Sequence, residues 1–148
     1  MPVKIVPVSE ARGTAHLFSG AVDGEQIVES IRVMLREPEK LPALRFALID
    51  LSESEQLNVS NDDVQLIVEQ DRKLNSYLSP GFMVAIVASR DVHFGLARMW
   101  QTYVESTGWD TAIFRNVEEA EVWIQQNMLR INALALPSFH QELMQVRA

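Results

Sequence analysis

Two short runs of this chain, residues 45–51 (RFALIDL) and 82–88 (FMVAIVA), are apolar on both faces. A strand of that kind needs cover above and below, which is the situation at the centre of a parallel sheet. Neither run is long enough to cross a bilayer. Each is followed by a stretch with helical period. After the first come Val64, Ile67, Leu74 and Leu78, and after the second Val92, Leu96, Met99, Trp100 and Tyr103. Strand followed by amphipathic helix, twice over, predicts an α/β domain with right-handed crossovers.

The rest of the chain completes that sheet. Val3, Ile5 and Pro7 alternate with Lys4, Val6 and Val8, and proline keeps this strand at an edge. Gly13 allows a turn into a second strand over 14–19, with Ala15 and Leu17 on one face and His16 and Phe18 on the other. Gly20 ends that strand, and Asp23 with Gln26 forms a capping-box pattern. A helix follows with Ile27, Val28, Ile31, Met34 and Leu35 facing inward, until Pro38 and Pro42 stop it. Residues 52–58 read as a polar loop, and Ser60 caps the next helix, with Asp62 and Asp63 at the positive end of its dipole. Asp71 falls on the apolar stripe of that helix, where a rim position or a structural ion pair is the ordinary account.

Ser89 or Asp91 caps the helix that runs to Gly108, and 111–114 forms a last short strand. Asn116 with Glu119 is another capping box, opening a helix toward Ala135 with Val117, Ala120, Trp123, Ile124 and Met128 inward. Residues 138–147 give one more helical face with Phe139, Leu143 and Val146. The expected order is β-β-α-β-α-β-α-β-α plus a tail, with a domain over 1–128 and a C-terminal helical extension over 129–148. The extension has an apolar face that needs cover, in its own domain or on a second subunit.

Composition removes several functional classes. With 148 residues, 47% hydrophobic and 22% charged, the chain is of single-domain size and can bury a core. A net charge of −7 offers no footprint for nucleic acid and no pull toward an anionic membrane. The absence of cysteine excludes disulfides, thiolate chemistry and cysteine-based zinc sites, and it fits a reducing cytoplasm. The N-terminus lacks the apolar core of a signal peptide, so a cytoplasmic protein without integral membrane contact is expected.

No phosphate loop, dinucleotide fingerprint, nucleophile elbow or HExxH pattern occurs. His16, His93 and His140 show no metal-ligand spacing. No catalytic residue, metal or cofactor is therefore assigned. In open α/β sheets, ligands bind beyond the carboxyl ends of the parallel strands. Ser52, Ser60, Asn61, Ser89, Asp91, His93 and Arg115 fall there and form the expected ligand rim. For both Ser60 and Ser89, capping is the commoner role.

The pattern over residues 3–128 resembles the SpoIIAA-like proteins. These are small bacterial relatives of the STAS domain, in the fold neighbourhood of the lipid-binding CRAL-TRIO domains. The pieces that carry the resemblance are HFGLARMW (93–100) and FRNVEEAEVWI (114–124), with Phe114, Ala120 and Trp123 ahead of Ile124, and the acidic Asp71. The resemblance implies a four- or five-stranded sheet, frequent homo-oligomers, and a regulatory or ligand-binding role. STAS anti-sigma-factor antagonists are switched by phosphorylation of a serine in a DSSG-like motif. Here that region reads LNVSNDDV, so Ser60 is the nearest phosphoacceptor, beside two aspartates that would repel a phosphate.

The leading expectation is thus a non-catalytic STAS-like regulatory module that binds a protein partner or a second copy of itself. The alternative is a carrier of a small apolar molecule or lipid. It would use a pocket between the sheet and the 92–103 helix, with Met34, Met83, Met99 and Met128 as adaptable walls.

Overall fold

The computed structural model describes residues 3–147. Its strands are β1 (Val3–Val8), β2 (Gly13–Asp23), β3 (Phe46–Asn58), β4 (Met83–Val87) and β5 (Asp110–Phe114). Its helices are α1 (Gly24–Leu35), α2 (Asn61–Asn75), α3 (Asp91–Tyr103), α4 (Val117–Asn132) and α5 (His140–Arg147). Short 3-10 turns occupy Pro38–Ala43 and Val104–Thr107. The five strands lie in sequence order, β1-β2-β3-β4-β5. β1 pairs antiparallel with β2 and every later pair is parallel. The expected α/β mixed sheet with an N-terminal hairpin is what forms.

The hairpin turn differs from expectation in its chemistry. Ser9, Glu10 and Ala11 all take positive φ, and the N–H of Arg12 bonds back to the carbonyl of Ser9. Gly13 is already in β2. A Cβ there would fall inside the ring of Phe46, so this glycine serves packing against β3 and not the turn.

A larger difference concerns β2 and β3, which run well past the other strands as a paired arm. Gly20 was expected to end β2, and 52–58 to be a loop. Instead the ladder continues from Ser19↔Glu53 to Asp23↔Asn58. Gly20 has φ 69° and sits between two register shifts, so it bends the strand without ending it. The run SESEQ looked like a loop because it is polar. It is a strand with one solvated face, which places Leu51, Ser54 and Leu57 at spacings the bulges distort. Both following helices start at the arm's tip, each with a complete capping box: Asp23 with Gln26, and Ser60 with Asp63.

Helices α1, α2 and α3 pack on one face of the sheet, and α4 and α5 on the other. The first core includes Phe18, Ile31, Ile67, Ile86 and Trp100, and the second Phe46, Leu48, Met83, Ile124 and Met128. α3 keeps most of its expected stripe inward: Trp100 is buried, Met99 and Tyr103 pack against the first core, and Leu96 lines a cavity there. It also buries His93 and Ala97, while Val92 is 71% exposed. α3 has Arg90 at its N-cap with no side-chain cap, so neither Ser89 nor Asp91 plays that part. α4 stops at Asn132, because Ala133 takes a left-handed conformation. Asn116 accepts the N–H of Glu119, which is half of the expected box.

The tail packs on its own domain. Leu136, Phe139 and Leu143 are buried in the second core, with the Phe139 ring 5.4 Å from that of Phe46. Glu121 on α4 anchors the start of α5, accepting from the N–H groups of Phe139 and His140 at 2.9 and 2.7 Å and from the Ser138 hydroxyl at 3.0 Å. At the other end, Arg147 reaches the buried Asp50 at 2.7 Å and Glu53 at 2.6 Å. Burial pushes the Glu121 carboxyl up, but the hydrogen bonds from Phe139, His140 and Ser138 outweigh it and hold its pKa below the usual range.

Candidate functional site

The expected rim residues divide into separate groups. At the ends of β4 and β5, Arg115 pairs with Asp91 at 2.8 Å, donates to the carbonyl of Ser89 at 3.3 Å, and lies 4.3 Å from the Phe94 ring centre. His93 is buried just after them, and burial, then the Arg90 charge, lowers its pKa. Ser52 lies within β3, where its N–H donates to Asp50. Ser60 and Asn61 open α2; Asn61 accepts from the Tyr103 hydroxyl at 3.4 Å. Among the described residues, no hydrogen bond or ion pair joins Ser52, Ser60 or Asn61 to the Arg115 group. Arg115 and Asp91 are also well exposed and neutralise each other, a weak basis for holding an anion.

Ser60 Oγ accepts the N–H of Asp63 at 3.1 Å, and Asp63 accepts the Ser60 N–H in return. A phosphate on Ser60 would break that reciprocal pair and face two carboxylates. Among the described residues, no group of three or more His, Asp or Glu is placed to hold a metal ion.

The site with the most unusual chemistry is a cavity inside the first core. It measures about 100 Å³ and lies between the sheet and α1–α3. Phe18, Ile49 and Ile86 supply the sheet wall; Ile31, Ile67 and Ala97 supply the helical one. Leu57 and Val59 also line it, because the bent arm carries its far end over the helical face. Of the four methionines expected to shape a pocket, Met34 lines it, Met99 packs against the same core without lining it, and Met83 and Met128 belong to the opposite core.

Three lining residues are polar. Ser30 is self-contained, its hydroxyl donating to the carbonyl of Ile27 at 2.7 Å. Asp71 is buried and accepts the indole N–H of Trp100 at 2.7 Å. It is therefore neither a rim residue nor half of an ion pair. Burial pushes its pKa up to about 7, against a smaller lowering effect of the Trp100 bond. His16 is fully buried in the middle of β2, flanked across the ladder by Ile5 and Ile49. No hydrogen bond from any described residue reaches either of its ring nitrogens. Burial lowers its pKa to about 4, so at neutral pH it is an uncharged imidazole with one donor and one acceptor.

An unmatched buried donor or acceptor costs roughly 1–3 kcal/mol, so His16 is held here at a cost to stability. Strand alternation placed His16 on one face with Phe18, without assigning it a role; Trp100 was expected on the apolar stripe of its helix. The signal for Asp71 was visible as a charge on an apolar stripe; its partner was not. No family profile matches this chain, and no curated protein matches it either.

Proposed function

We propose that this chain is a non-catalytic, ligand-binding regulatory domain of the SpoIIAA-like, STAS-related kind. It would hold a small, mostly apolar molecule between the sheet and α1–α3. The observation that carries the reading is the cavity, which is apolar over nearly all of its wall. Its volume of about 100 Å³ suits an occupant smaller than benzene; a 150 Å³ apolar cavity accepts benzene, and drug-sized pockets begin near ~300 Å³. An acyl chain does not fit, so the lipid-carrier version of the reading is set aside. The order of strands and the acidic residue on α2 support the family resemblance.

Titration with xenon and with compounds of three or four carbon atoms, followed by two-dimensional NMR, tests the reading. Binders are expected to shift the Trp100 indole signal, and Ala97→Leu, which fills the cavity, to abolish the effect. If no such compound binds the folded protein at millimolar concentration, the reading is wrong.

A second reading, association with another copy or a protein partner, is favoured by the exposed Val122 and Leu129 on α4 and Met144 on α5. Light scattering on the purified protein checks it: a strict monomer that Val122→Lys leaves unchanged removes self-association.

A further inference from the structure

We infer that an open groove beside the β1–β2 hairpin binds a small organic carboxylate with an apolar body, and that Arg12 and Arg45 recognise it. This is a second site and does not depend on the core cavity. The groove measures about 890 Å³, within the ~300–1,000 Å³ range of sites for drug-sized molecules. Ile5 and Pro7 of β1 line one side, and Val33 of α1 with Leu41 and Leu44 beyond it line the other. Gly13 pairs with Phe46 at the start of the β2–β3 ladder, so Arg12 and Arg45 stand side by side one position earlier. The N–H of Arg45 donates to the carbonyl of Arg12 at 2.6 Å. Phe46 faces α4 and α5, and strand alternation turns the two arginine side chains the other way, where both line the groove.

The charges in the groove set the class of ligand. Its charged lining residues are Glu10, Arg12, Glu37, Lys40 and Arg45. Lys40 and Glu37 satisfy each other at 2.6 Å, and Glu10 is exposed on the turn. Arg12 and Arg45 are half-buried, and neither has a carboxylate partner among the described residues. Arg45 donates to the carbonyl of Pro42 at 2.9 Å, and neither guanidinium bonds to a carbonyl in the last turn of α1 or α4. The groove thus carries one net positive charge, in a chain of net charge −7. A cation is repelled by the two free guanidinium groups. A hydrocarbon gains the apolar contacts and leaves both unmatched. A phosphate dianion brings more charge than the groove balances, beside Glu10 and Glu37. A carboxylate carries one negative charge and two oxygens that fit the planar fork of arginine, while Ile5, Pro7 and Leu41 receive the apolar body.

The test titrates the full chain with phenylbutyrate, with phenylbutyramide, which keeps the body and loses the charge, and with phenyl phosphate. Methyl NMR signals of Ile5 and Leu134 report the groove, and those of Ile67 and Ile86 report the core cavity. Phenylbutyrate is expected to shift the groove signals and to bind about tenfold more tightly than the amide, the effect of one hydrogen-bonded charge pair. Arg12→Gln and Arg45→Gln should each remove about tenfold of the phenylbutyrate affinity and leave the amide unchanged. Arg12→Lys, which keeps the charge and loses the fork, should fall between. Equal binding of phenylbutyrate and its amide overturns the inference, as does an affinity that neither glutamine variant changes. Tighter binding of phenyl phosphate overturns the carboxylate assignment in favour of phosphate. Shifts confined to Ile67 and Ile86, or no binding at millimolar concentration, overturn the groove as the site. None of these outcomes touches the cavity reading, which xenon tests separately.

Discussion

The two faces of the sheet are covered in contrasting ways. On the α4–α5 face, buried polar groups are matched: Glu121 receives three donors from the start of α5, and Asp50 receives Arg147. Its aromatic pair, Phe46 and Phe139, closes the layer at 5.4 Å. On the α1–α3 face there is a cavity, a carboxyl with one indole partner, and a histidine with none. Both faces belong to the same strands, so backbone geometry does not cause the difference. It comes from what each helix layer brings to the sheet. A closed, satisfied face is what stability alone selects; the other face retains features that cost stability.

This contrast can be broken at several points. The largest effect is expected from Phe139→Ala, which should cost about 3–5 kcal/mol because the closed face has little freedom to collapse around the loss. Urea unfolding measures it, and a loss below 1 kcal/mol would mean that the tail is a loose cover. Glu121→Ala comes next. It strands the donors at the head of α5, with an expected cost of about 3 kcal/mol. Partial proteolysis should then cut first near Pro137.

Paired substitutions of two inward-facing alanines compare the faces directly. Ala120 and Ala97 are both buried on helices against the sheet, but only Ala97 lines the cavity. Ala120→Leu should destabilise by about 1–3 kcal/mol through overpacking. Ala97→Leu should change stability by less than about 0.5 kcal/mol, since it fills space already present. Equal costs for the two would remove the distinction between the faces.

The gentlest probe is pH. Asp71 has a folded pKa of about 7 against 3.8 in its ordinary state, so the folded chain keeps a proton that the unfolded chain has released. Its contribution is full below pH 3.8 and is lost as the pH rises to about 7. His16 works in the opposite sense. Its folded pKa of about 4 lies below 6.5, so its contribution is lost as the pH falls from 6.5 toward 4. Lowering of the His93 pKa adds to the same side. Between pH 4 and 6.5 the two main slopes oppose each other, each limited to ~1.4 kcal/mol per pH unit for a single proton. Asp71→Asn should therefore make stability rise with pH across this window, and His16→Phe should make it fall. Urea midpoints at half-unit steps would show whether the two variants diverge.

What the sequence by itself determined is the part of the structure governed by local physics. Runs that are apolar on both faces marked the central strands. Helical spacing marked the inner faces of α1 and α2, and capping residues marked where α1, α2 and α4 begin. Those signals act within a few residues, so they can be read in one dimension. The structure had to decide the rest because it depends on which distant segments meet. Pairing with β2 turned the polar run 52–58 from an expected loop into strand, and the bulges around Gly20 bent that arm over the helices. α3 turned His93 and Ala97 inward and left Val92 exposed, and its Trp100 met Asp71 on α2. α5 met β3 through Arg147 and Asp50, groups whose attraction no local pattern announces. Above all, the sequence placed His16 on one face with Phe18, but only the packed layers decided that this face would be buried and that no described side chain would bond to its ring.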